Sequence, residues 1–118
     1  MTQPTIWHNP RCSKSRQTLQ LLQDNGYDPI IVDYVNAAPS KIEIVAALKL
    51  LGMDAVDLIR TSDKRFAEAG LSKSDTDAAL INAMVEQPIL IERPVVLHKG
   101  KAAIGRPPEA VFEILKDA

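Results

Sequence analysis

Thr5-Ile-Trp-His-Asn-Pro-Arg-Cys-Ser-Lys-Ser-Arg16 joins a short apolar run to the start of a helix, and the chain's only cysteine, Cys12, stands at the junction. Thr5 to Trp7 reads as a strand, and Ser13 to Asn25 as a helix that Gly26 stops at a C′ position. Ile30-Ile-Val-Asp-Tyr34 is β-branched, follows Pro29 and reads as a second strand. A crossover helix between two strands requires them to be parallel, so the chain opens with a βαβ unit.

A helix N-terminus presents unpaired backbone N–H groups and a partial positive charge, which favour a thiolate over a thiol and attract oxyanions. Arg11, Lys14 and Arg16 add cationic charge around Cys12. Such surroundings lower a cysteine pKa from about 8.5 into a range of about 3.5 to 7.5. A lone cysteine is more often an inert buried hydrophobe, but the polar neighbours of this one argue against burial. Cys12, Ser15, Leu19 and Leu22 recur at helical spacing, so the thiol and the Ser15 hydroxyl share a face whose continuation is core. Ser15 then either hydrogen-bonds the thiolate or ties up a first-turn backbone N–H, and spacing does not choose between the two. Arg16 falls on a different face and is expected to be solvated.

With 118 residues, 46% hydrophobic and 25% charged, the composition is that of one globular domain spanning 1–118. Fourteen Lys and Arg against 15 Asp and Glu lack the basic excess of a nucleic-acid or anionic-membrane binder. Met1-Thr-Gln-Pro4 is not followed by an apolar leader, and charge or Pro breaks every long apolar run, so a cytoplasmic protein is expected. One cysteine forms neither an intramolecular disulfide nor a cysteine-based metal site unaided. Any redox cycle through Cys12 therefore borrows a second thiol from outside the chain.

Beyond Tyr34 the pattern becomes helical. Ser40-Lys-Ile-Glu43 is a capping box ahead of Ile44, Ala47, Leu48 and Leu51 on one face, with Gly52 as the stop. Asp54 caps a short turn through Leu58 and Ile59 to Arg60, and Asp63 to Ala69 reads as a short helix ended by Gly70. Ser74 or Asp75 opens a further helix that carries Leu80, Ile81, Met84 and Val85 and ends before Pro88. The helical stretch, about 40–87, is thus inserted ahead of Val95-Val-Leu-His98, Lys99-Gly100 and Lys101-Ala-Ala-Ile104, which read as an antiparallel hairpin. Gly105-Arg-Pro-Pro-Glu109 then starts a last helix, with Val111, Ile114 and Leu115 facing the core. The frame is β-α-β…β-β-α, an α/β fold. If the hairpin pairs antiparallel with the first strand, Arg93-Pro94 and Arg106 both fall on the edge that carries Cys12. His98 has no motif support and receives no role, and Thr18, six positions after Cys12, stands where a tyrosine-phosphatase loop needs Arg.

His8-Asn9-Pro10, Cys12, Ser15-Arg16, Arg60 after Leu58-Ile59, Ile89-Leu-Ile91 with Arg93-Pro94, and Arg106-Pro107 together resemble the ArsC family over essentially the whole chain. These are the glutathione- and glutaredoxin-coupled arsenate reductases of thioredoxin-like fold. Separated matches in the right order are more specific than one short pattern. The resemblance implies that Cys12 is the nucleophile, that His8 and Ser15 tune or stabilise its thiolate, and that Arg60, Arg93 and Arg106 bind the oxyanion. It also implies a cis Arg93–Pro94 bond. The implied reaction begins with thiolate attack on arsenate to give a Cys–S–As(V) adduct. Glutathione then attacks, glutaredoxin removes the glutathionyl group and arsenite leaves, with no metal or tightly held cofactor. Ser13-Lys14, where efficient arsenate reductases of the family commonly carry Gly-Thr, and the end at Ala118 are closer to a shorter ArsC-like branch.

Read from residues alone, Arg60 equally complements a helix C-terminus, His8 is an ordinary strand-end histidine, and Arg106 pairs with Glu109 in solvent. Two other functions share the scaffold. A monothiol glutaredoxin-like protein would use Cys12-Ser-Lys-Ser15 on glutathione mixed disulfides without an oxyanion. An Spx-like regulator would bind RNA polymerase, although Ser15 stands where the Cys-x-x-Cys switch of that branch needs its second cysteine.

Overall fold

The structure is a computed structural model and describes residues 3–92 and 94–115. The chain runs β1 (Thr5–His8), α1 (Ser13–Asp24), β2 (Ile30–Asp33), α2 (Lys41–Leu51), α3 (Ala55–Leu58), α4 (Lys64–Glu68), α5 (Asp77–Glu86), β3 (Val95–His98), β4 (Lys101–Ile104) and α6 (Phe112–Leu115). Short 3-10 turns occupy Pro88–Leu90 and Pro108–Val111. Two compact units result: one takes the chain up to Ala37 and returns after Glu92, and the other is Ala38–Glu92.

The first unit is built on a mixed sheet of order β2-β1-β3-β4, the thioredoxin-like arrangement. β1 and β2 are parallel from Thr5↔Ile30 to His8↔Asp33, as their crossover through α1 requires. β3 runs antiparallel to β1, with Trp7 opposite Val95, and β4 returns with Ile104 opposite Val95. The hairpin turn puts both Lys99 (φ 49°) and Gly100 (φ 74°) in the left-handed region, which matches the right-handed twist of the strands it joins. The end of β1, the start of β3 and the end of β4 therefore share one edge, as the sequence reading expects.

Successive strand residues alternate between faces, so Ile6 and His8 share one. Ile6 packs with Leu22 of α1, Val96 of β3, and Val111, Ile114 and Leu115 at the C-terminal end. Four of these, Ile6, Leu22, Val96 and Val111, are fully buried, each contributing roughly 1.5–3 kcal/mol. His98 is a core histidine at the far end of β3: its Nδ1 lies 3.1 Å from the Ile114 carbonyl and its ring meets Tyr27 edge-on. The last helix starts later than expected, because a 3-10 bond from Ala110 N–H to the Pro107 carbonyl precedes α6.

In the second unit the Ser40 capping box forms in both directions: Ser40 Oγ accepts the Glu43 N–H at 3.2 Å, and Glu43 Oε1 accepts the Ser40 N–H at 3.0 Å. α5 begins at Asp77, not at Ser74 or Asp75. Asp75 Oδ2 is taken by the Ser72 N–H and Ser72 Oγ by the Ser74 N–H, which closes a local turn and leaves Thr76 to accept the Ala79 N–H. Ile59 and Ile91 form an antiparallel bridge, flanked by Arg60 N–H to Leu90 O and Glu92 N–H to Leu58 O, each 2.7 Å. Those bonds fix the backbone of Arg60. Among the described residues no helix is long and apolar enough to cross a membrane.

Candidate active site

The turn from β1 to α1 is organised by Asn9. Its carbonyl accepts the Cys12 N–H at 3.0 Å, and its Oδ1 accepts the Arg11 N–H at 3.0 Å. This Asx-type arrangement delivers Cys12 to the N-cap of α1 in extended conformation, with its own carbonyl accepting the Arg16 N–H. The half-buried thiol thus stands at the end of a helix whose first N–H groups have no intrahelical acceptor. No acidic residue in the first turn competes with an anion for them.

Behind the thiol, His8 Nδ1 lies 2.6 Å from Ser15 Oγ, and that oxygen also accepts the Asn9 N–H at 3.0 Å. Both side chains are buried. Of the two readings of Ser15, the structure thus shows the tied-up backbone N–H, that of Asn9, and adds a partner neither reading named, the histidine. Burial pushes the His8 imidazole below its ordinary 6.5; Asp33 works against that shift and Arg16 adds to it. Arg16 is exposed, with Nη1 donating to the Pro10 carbonyl at 2.8 Å.

Arg106, far from Cys12 in sequence, places Nη2 3.6 Å from Cys12 Sγ as a donor. Gly105 makes that approach possible. A Cβ on it would stand 2.8 Å from Pro94 Cγ and 3.0 Å from Thr18 Cγ2, with Thr18 Oγ1 closer still. Its N–H donates to the Pro94 carbonyl at 2.9 Å, so the chain leaving β4 runs directly over α1. The Arg106–Pro107 bond is cis. Arg93, and with it the expected cis Arg93–Pro94 bond, lies outside the described residues.

Arg60 belongs to the second unit. Its Nη1 lies 3.6 Å from Asp63 Oδ2 and its Nε 3.9 Å from Glu92 Oε1. Asp63 also accepts the Arg65 N–H at 2.9 Å, and this bond, with the charges of Arg65 and Arg60, holds its carboxyl below the usual 3.8. Of the candidate residues, the structure gathers His8, Cys12, Ser15 and Arg106 around one helix end, and describes Arg60 within its own unit. Among the described residues no group of three or more His, Cys, Asp or Glu is placed to hold a metal ion.

Two residues that shape this site had no role in the sequence reading. Asn9 carried a signal, a turn-forming residue three before the cysteine. Gly105 carried only a weak one, a glycine directly before an arginine of the motif.

The model of the ArsC family matches residues 7–114. The chain is 47% identical over 115 residues to the uncharacterized protein YfgD of Escherichia coli, covering 96% of this chain and 97% of that one. It is 46% identical over 112 residues to an arsenate reductase of Haemophilus influenzae, covering 93% and 97%. Among solved structures, an arsenate reductase from Vibrio cholerae superposes with a TM-score of 0.91 at 41% identity, over 95% of this chain and 97% of that one.

Proposed function

This chain belongs to the ArsC family, and from that premise we propose that it reduces arsenate, or a closely similar oxyanion, through a Cys12 thiolate adduct. The observation that carries the reading is the Arg106 guanidinium 3.6 Å from Cys12 Sγ at the N-terminus of α1. A nucleophile alone needs only an activating base. A guanidinium fork beside it, next to unpaired helix N–H groups, is what a tetrahedral oxyanion requires.

In this reading the thiolate attacks arsenic(V) and displaces one oxygen, which leaves as water. Glutathione attacks next, supplying the second thiol that a one-cysteine chain lacks. The two thiols together give two electrons to arsenic, so arsenite leaves and the sulfurs end as a mixed disulfide. Glutaredoxin then takes the glutathionyl group and restores Cys12. Arg60 and Arg93 join Arg106 as oxyanion ligands on the strength of the family resemblance alone, as does the assignment of 1–118 to one ArsC-like domain. Chemistry of this kind belongs to the reducing cytoplasm.

The test is NADPH-coupled arsenate reduction with glutathione, glutaredoxin and glutathione reductase, run on the wild type and on Cys12→Ser in parallel. Turnover that depends on Cys12 is expected. Its absence in a preparation whose Cys12 still alkylates readily would refute the arsenate assignment and favour the glutathione-linked alternative.

A further inference from the structure

Among the described residues, one buried side-chain oxygen or nitrogen has no hydrogen-bond partner: Oδ1 of Asp33. Native interiors keep few such groups, and each calls for an explanation. The other carboxylate oxygen, Oδ2, accepts Asn36 Nδ2 at 2.8 Å, and the Ala37 N–H donates to the Asp33 carbonyl at 2.7 Å, so the residue is held in place.

Asp33 ends β2 in direct parallel register with His8 at the end of β1, which puts both side chains on the same face of the sheet. On that face Ser15 occupies His8 Nδ1. The ring nitrogen left for a carboxylate is Nε2. Resting on the reading of Cys12 as nucleophile, we propose that Asp33 is a positioning residue acting through His8: it keeps the neutral imidazole protonated on Nε2 and stabilises the imidazolium that forms when the Cys12 proton is withdrawn through the Ser15 hydroxyl.

The proton inventory balances. The Cys12 thiol proton passes to Ser15 Oγ as the Ser15 hydroxyl proton passes to His8 Nδ1. A neutral thiol and a neutral imidazole become a thiolate and an imidazolium, and no other bond changes. The imidazolium then donates from Nδ1 to Ser15 Oγ, and the Asp33 carboxylate, on the same face of the sheet, favours its charge. Three elements surround His8. β2 contributes Asp33, and α1 contributes Arg16, which opposes protonation. On the β3 side the described neighbour is Pro94, which is uncharged, with Arg93 ahead of it outside the described residues. Arg106 acts on the sulfur itself.

The experiment titrates the two histidines by NMR in the wild type, Asp33→Asn and Asp33→Leu, and follows Cys12 alkylation by iodoacetamide across the same pH range. The Leu variant removes the unpaired oxygen altogether and guards against misfolding of the Asn variant. In both, the proton affinity of His8 is expected to fall by about 3- to 10-fold. His98, at the far end of β3 with its Nδ1 on the Ile114 carbonyl, serves as the internal reference. The midpoint of Cys12 alkylation should rise in step, and the rise should vanish in a His8→Gln background. An unmoved His8 titration in both variants, or a Cys12 shift that persists without His8, overturns the proposal. Neither readout uses an oxyanion or glutathione, so a protein inactive on arsenate still tests Asp33, and an active one with unmoved His8 refutes Asp33 alone.

Discussion

Gly105→Ala tests whether close packing of the chain after β4 is what brings Arg106 to the thiol. The glycine needs no special backbone angle, so the effect of the substitution is steric. The new methyl would stand 2.8 Å from Pro94 Cγ and 3.0 Å from Thr18 Cγ2, whereas ordinary carbon contacts lie at about 3.5–4.0 Å. Relief requires a shift of roughly 0.5–1 Å. Thr18 is poorly free to give way, because it is fully buried and its hydroxyl donates to the Lys14 carbonyl at 2.8 Å. Overpacking of this kind costs about 1–3 kcal/mol. For a chain of 118 residues that corresponds to a fall in Tm of roughly 4–12 °C. Thermal unfolding followed by circular dichroism measures it. Thr18→Ala in the same chain should recover part of the loss but not all, since Pro94 Cγ remains in the way. The displaced backbone also carries Arg106, so Cys12 alkylation near pH 6 should slow. A Gly105→Ala protein that melts within about 1 °C of the wild type would show that the approach to α1 is looser than the packing argument requires.

Two further outcomes follow from titratable groups. His8 has a folded pKa below its ordinary 6.5, so the unfolded chain binds its proton more tightly; stability is full above 6.5 and is lost as pH falls through the lowered value. Urea unfolding at pH 5 and pH 7.5 should show this loss, and His8→Gln should flatten it. Asp63 is shifted below 3.8, so its contribution is present above that value and is lost as acid protonates the folded carboxyl. Asp63→Ala should cost about 0.5–2 kcal/mol by removing the cap of α4, and a substantially smaller loss at pH 7 in denaturant melts would rule that out.

The βαβ opening was legible because strand and helix periods differ and Gly26 ends α1 visibly. From there the antiparallel hairpin alone placed Arg106 beside Cys12, since pairing Val95 with both Trp7 and Ile104 leaves no other edge for it. Contacts that depend on packing rather than on period stayed hidden. Gly105 looks like any loop glycine until Thr18 and Pro94 close around it. Asp33 looks like a polar strand end until its register with His8 is known. The start of α5 was misplaced for a local reason: Ser72, Ser74, Asp75 and Thr76 all compete for N–H groups, and only the three-dimensional turn decides which of them caps the helix. The partnership of Arg60 with Asp63 could be read from a spacing of three, whereas that with Glu92 depends on the Ile59–Ile91 bridge.

Arg106 has two separable duties at the sulfur, and a pair of substitutions divides them. As a charge near 4 Å in solvent it favours the thiolate by about 1 kcal/mol, or about fivefold, because the side chain is exposed and its field is screened. As a planar fork it offers two parallel donors to an oxyanion, which an ammonium group does not reproduce. Arg106→Ala should therefore slow alkylation of Cys12 at low pH and raise KM for the oxyanion. Arg106→Lys keeps the charge and loses the fork, so alkylation should stay within about twofold of wild type while KM rises by about tenfold or more, the cost of one charge-assisted bond. Measured side by side, the Lys variant should track the wild type in thiol reactivity and the Ala variant in oxyanion affinity. If Lys matches Ala in both, Arg106 acts on Cys12 by geometry rather than by charge, and the electrostatic account of the thiolate fails.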